Sequence, residues 1–192
     1  APPMHPTLAA VSAPLFGTES SEFLRGLDHI ASLISLCVDG LVPGDEGGTV
    51  RVADDGRIRL AYPLGPLHTE AFRTAHRRMA ELHLAAGAEL VMTLHSHPHV
   101  MTTLADLGGL DDMPYGAHEH PIFTAHQMGG CTMGPDPATS VVDTHLAHHD
   151  ADNLYVVDGS VLPTALGVNP SQTIYGIASW AAEHIAEAAG RP

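Results

Sequence analysis

Residues 126–178 constrain this chain more than any other stretch. They contain HQMGGCTMG, then VVD, then NLYVVDGSVLPTALGVNPSQTIYGIA. A histidine opens a glycine-rich turn, and a short apolar run, Leu154 to Val157, leads into Asp158-Gly159. A loop then ends in Asn169-Pro170 at the mouth of a helix. Asn169 is the expected N-cap, and Pro170 suits the first helical position because its missing N–H would be unpaired there. Ile174, Ile177, Ala178, Ala181, Ile185 and Ala188 recur at helical spacing and predict one apolar stripe. Gly190 and Pro192 end it. The free N–H groups and partial positive charge at its start favour an anion or an electron-rich ring edge.

The rest of the chain predicts an α+β fold. An N-terminal arm rich in Pro, Ala and Ser precedes a short helix over 22–30. The apolar run 31–38 (ASLISLCV) reads as a buried strand. Thr49–Ala53 and Arg57–Tyr62, separated by Asp54-Asp55-Gly56, read as a hairpin. A second helix spans Thr69–Ala86 along the stripe Phe72, Ala75, Met79, Leu82 and Ala86, and Gly87 caps it. Its Arg73, Arg77 and Arg78 read as a solvated face. Strands follow over 89–94 and 118–125. Strands with helices segregated to one face give an antiparallel sheet with flanking helices.

Charge excludes some partners. With 8 cations against 22 acids the net charge is −14, which argues against nucleic acid and anionic membranes. No apolar stretch reaches about 18 residues, so no spanning helix is expected. Two cysteines are too few for a disulfide framework and favour a reducing, cytoplasmic setting. The N-terminus lacks the basic region of a signal peptide, and residue 1 is not Met, so the chain reads as processed or cut from something longer.

The 126–178 stretch resembles the C-terminal signature of the glucose–methanol–choline (GMC) family of flavin oxidoreductases. Within it, HQMG-C-MG and DGSVLPTALGVNP are most similar to the long-chain alcohol oxidase and dehydrogenase branch. The resemblance implies a substrate-domain portion over residues 1–140. It also implies a C-terminal segment over 141–192, whose strand–loop–helix closes the FAD-binding domain. His126 matches the family's catalytic base, and Asn169 the polar residue that orients the alcohol oxygen. Asp158, Gly159, Asn169, Pro170 and the N–H groups from Ser171 onward match positions that line FAD. Close relatives carry Arg where this chain has Thr132. The family's GxGxxG nucleotide-binding unit does not occur here, so the expected partners are an alcohol and the missing FAD-binding region, in cis or as a subunit.

Two other readings remain open from sequence. One is a non-catalytic fragment or binding module. The other is a metal-dependent hydrolase built on His95, His97 and His99 of HSHPH, where alternating histidines on a strand would share a face. Ala105 and Gly108 stand where that motif needs Ser and Asp, so no metal site is expected. His118, His120, His148 and His149 read as exposed polar residues.

Overall fold

The computed structural model describes residues 5–40 and 47–190. It divides into two compact units. Ala1–Cys37 with Gly48–Phe123 makes one, and Val38–Gly47 with Thr124–Pro192 makes the other. Helices alternate with two small antiparallel sheets, an α+β architecture.

In the first unit, α1 (Pro6–Ser12) forms where the sequence suggested a loop-like arm. The local chemistry explains it. His5 Nδ1 accepts the Thr7 N–H at 3.3 Å, and Pro6 starts the helix, where no N–H is needed. α2 (Gly17–Arg25) is followed by a 3-10 turn, Leu27–His29. The run 31–38 is not a strand: it pairs with nothing among the described residues, and Leu36 is 73% exposed. An apolar run makes a strand only when a neighbour supplies a ladder.

β1 (Thr49–Val52) and β2 (Ile58–Ala61) form the predicted hairpin, with Val50 opposite Leu60 and Val52 opposite Ile58. Gly56, at φ +77°, supplies the left-handed residue of the turn. α3 (Pro66–Ala85) ends at Gly87, φ +90°, as expected. Its buried line runs through His76 and Ala80, whereas Leu82 is 61% exposed. The reason lies in the 3-10 segment Leu104–Asp112, which lays Leu107 and Leu110 against Ala80 and Met101 to make this unit's core. Arg77 pairs with Asp111 of that segment at 2.7 Å. β3 (Val91–Met92) and β4 (Val100–Met101) are antiparallel, so HSHPH is the connection between them rather than part of a strand. His95 is buried and His97 exposed, so the alternation expected of a strand is lost. Residues 118–125 form no strand either, and His118 sits at φ 67° in a turn.

The second unit is built around α4 (Ser171–Ala188). Its Ala181 joins Val142, Leu146 and Val161 in a buried cluster that Ile177 and Ile185 flank, as the periodicity predicted. The expected strand Leu154–Val157 reduces to one bridge, Ala147 with Tyr155. Thr164 Oγ1 donates to the Gly40 carbonyl at 2.7 Å, tying residue 40 to this unit. Among the described residues no helix is long and apolar enough to cross a membrane.

Candidate functional site

The glycine-rich turn after His126 is held by backbone bonds on two sides. Cys131 N–H donates to the Ser160 carbonyl at 3.0 Å and Met133 N–H to Val161 at 2.9 Å. Gly134 N–H donates to Val142 at 2.9 Å. Gly129 lies at φ +83°, and a Cβ there would stand 3.6 Å from the Pro163 carbonyl. Only glycine takes that conformation without cost. Gly129→Ala is therefore expected to lower stability by about 1–2 kcal/mol. Urea unfolding checks it: a lower midpoint with an unchanged slope is expected.

Gly159 is where the pieces meet. A Cβ there would lie 3.2 Å from the Gln127 carbonyl and 3.2 Å from Ile174 Cδ1. Gln127 follows His126, and Ile174 is in the first turn of α4. The absent side chain thus lets the His126 segment and the start of α4 close on one point. Asp158 caps the short 3-10 turn Gly159–Val161. Its Oδ1 accepts Ser160 Oγ at 2.5 Å and Ser160 N–H at 2.8 Å, and these bonds hold the carboxyl below its ordinary range. Oδ2 makes no hydrogen bond to a described residue.

Asn169 does not cap α4. The cap position is Pro170, at φ −81° and ψ −7°, with no side-chain bond. Its carbonyl accepts Ile174 N–H at 2.9 Å. Asn169 stands one residue too early, because Pro170 is already in the helical region. The Asn169 carboxamide is exposed and hydrogen-bonds to no described residue. The N–H groups of Ser171, Gln172 and Thr173 likewise lack a partner among the described residues. His126 is exposed, and its ring makes no hydrogen bond to a described residue. Base, amide and helix terminus are all unspent.

Residues 43–178 match the C-terminal part of the family described as GMC oxidoreductase. The chain belongs to the GMC oxidoreductase family. A long-chain-alcohol oxidase of Arabidopsis thaliana is 30% identical over 192 residues, covering 92% of this chain and 24% of the relative. A cholesterol oxidase of Acinetobacter baumannii is 44% identical over 87 residues, 45% of this chain and 14% of the relative. A gluconate 2-dehydrogenase flavoprotein of Pantoea cypripedii is 39% identical over 64 residues, 33% of this chain and 10% of its own. The chain thus spans a quarter or less of these curated relatives.

The GMC match also covers a side-chain cluster that sequence reading missed. His76, His95, Tyr115 and His120 pack with ring centroids 5.1–5.7 Å apart. His120 is half-buried rather than exposed as expected. His76 Nδ1 bonds the Phe72 carbonyl at 2.9 Å, whereas neither His95 nitrogen has a well-formed partner. Burial, then the neighbouring imidazoles of His76 and His120, push His95 down to about 4. Burial lowers His76 and His120 too. The signal was faint because these residues come from α3, the β3–β4 connection and a turn. His148 and His149 are also half-buried, with His149 Nε2 2.9 Å from Ser140 Oγ. No three His, Cys, Asp or Glu among the described residues are placed to hold a metal ion.

Proposed function

We propose that this chain carries the substrate-side machinery of an FAD-dependent alcohol oxidoreductase acting on an apolar, long-chain primary alcohol. One observation carries the reading: an unspent imidazole at His126 and an unspent carboxamide at Asn169 sit on two segments that close together at Gly159. The long-chain-alcohol oxidase name of the relative noted above supports the substrate class.

The residues fit FAD. Three unpartnered N–H groups at the start of an 18-residue helix suit a flavin edge that gains negative charge on reduction. Gly159, with no side chain beside Ile174 of the first turn of that helix, leaves the backbone open to close approach there. FAD, when bound, accepts the two electrons that leave the carbinol C–H bond as hydride. Everything else is the work of this chain. Asn169 donates its amide hydrogen to the alcohol oxygen and fixes the C–H bond in line. The His126 imidazole takes the hydroxyl proton as the carbon–oxygen double bond forms, leaving an aldehyde. The FAD-binding part must be supplied in the same polypeptide or by a partner.

The test joins this chain to that part in one polypeptide. Bound oxidised flavin that bleaches anaerobically on adding dodecanol supports the reading. A flavin-loaded protein inert to every alcohol tried overturns it, leaving a non-catalytic module. Asn169→Ala is expected to cut kcat/KM by about 10- to 100-fold, the worth of a hydrogen bond to a developing charge. Far-UV circular dichroism is expected to stay unchanged, because the amide caps nothing. A loss of helix with activity intact would return Asn169 to a structural role.

A further inference from the structure

We infer that the groove between the α1–α2 link and residues 118–123 holds the alkyl tail of the alcohol, and that Phe16 and Ile122 set the chain lengths accepted. This rests on the proposed function, which supplies an apolar alcohol, and adds where its tail lies. The groove has a volume of about 530 Å³, inside the range of about 300–1,000 Å³ usual for small-molecule sites. All of its lining belongs to the first unit. One wall is the end of α1 and the link to α2, where Ala13 and Phe16 are both extended. The other comes from Leu94, Ile122 and Phe123. The first wall lies outside residues 43–178, the stretch that matches the family, so the groove is a feature of this chain rather than of that match.

The chemistry of the lining selects an uncharged hydrocarbon. Phe16 and Phe123 are 85% and 68% exposed, so their rings are available to a ligand. Polar groups of the lining are already engaged. The Glu119 carbonyl accepts the Ser96 N–H at 2.8 Å and its hydroxyl at 3.3 Å. The His120 ring packs edge-on to Phe72 at 5.1 Å. A polyol needs several convergent donors and acceptors, which these engaged groups do not offer. A fatty carboxylate needs a cation, and the lining holds Glu119 but no Lys or Arg among the described residues.

Covalent reach ties the groove to the base. Only Thr124 and Ala125 separate Phe123, on its wall, from His126. Three peptide steps span at most about 11 Å between Cα atoms. This bound comes from the chain itself and holds for any placement of the two units. An alcohol whose hydroxyl meets the His126 imidazole therefore has the groove within reach of a long tail and beyond reach of a short one.

The experiment uses the full polypeptide with FAD bound, and butanol and dodecanol as probes. Phe16→Asp is expected to lower kcat/KM for dodecanol about 10- to 100-fold, the worth of two to three buried methylenes, and Ile122→Asp to act alike. Butanol is expected to change less than threefold, and kcat at saturating dodecanol to stay within threefold, because the groove binds and does not react. A twelve-carbon alcohol with a diazirine at its far end, irradiated on the wild-type enzyme, is expected to label residues 10–16 or 118–123. Label confined to other segments overturns the inference, as does unchanged dodecanol kinetics in both variants, or an equal loss for both alcohols. Those results leave the functional reading standing if dodecanol still reduces the wild-type flavin. A wild-type flavin that no alcohol reduces would instead sink that reading, and the groove inference with it. If the aspartate variants fail to fold, Phe16→Ser and the wild-type labelling decide.

Discussion

His126→Gln in the flavin-loaded enzyme is expected to lower kcat by about 100- to 10,000-fold, the usual worth of a positioned general base. Glutamine keeps much of the size and polarity and cannot take the proton. His126 is exposed and hydrogen-bonds to no described residue, so its replacement leaves the fold and flavin content unchanged. Stopped-flow flavin reduction isolates the step. A variant within threefold of wild type would remove His126 from the chemistry.

The second large effect concerns stability in acid. His95 is fully buried and its folded pKa is depressed to about 4, against about 6.5 in the unfolded chain. Above pH 6.5 neither state holds the proton, and stability is at its maximum. As pH falls below 6.5 the unfolded chain binds a proton that the folded chain refuses. The loss grows until pH reaches about 4, where it totals about 3 kcal/mol. His76 and His120, lowered in the same direction, add to it. The groups facing His95 are those two imidazoles, His99 and the Tyr115 ring, and the Arg73 guanidinium stands 5.4 Å over that ring. Urea midpoints between pH 7.5 and 4 measure the slope, and His95→Phe is expected to flatten it. A His95→Phe profile parallel to wild type would show that carboxylates elsewhere cause the acid loss.

Local patterns carried well from sequence to structure, and non-local ones did not. α3, α4 and the β1–β2 hairpin were legible because helical periodicity and an Asp-Asp-Gly turn act within a dozen residues. The runs 31–38 and 154–157 are apolar enough for strands, and 118–125 carries Ile122 and Phe123, but a strand needs a ladder that those residues do not specify. Pro170 displaced the expected cap by one position, and in doing so freed the Asn169 amide. The turn chemistry around His126 was readable because glycine at φ +83° is a local demand. The imidazole cluster was not, since its members stand as far apart as residues 76 and 120 and meet only after folding.

The division of the chain into units has a consequence for handling it. The polypeptide passes from the first unit to the second near residue 38, back near 48, and across again near 124. A single protease nick therefore cannot release either half, and neither can be cloned as one uninterrupted segment. The Thr164–Gly40 bond joins positions 124 residues apart, so the second half cannot be finished until residue 164 has been synthesised.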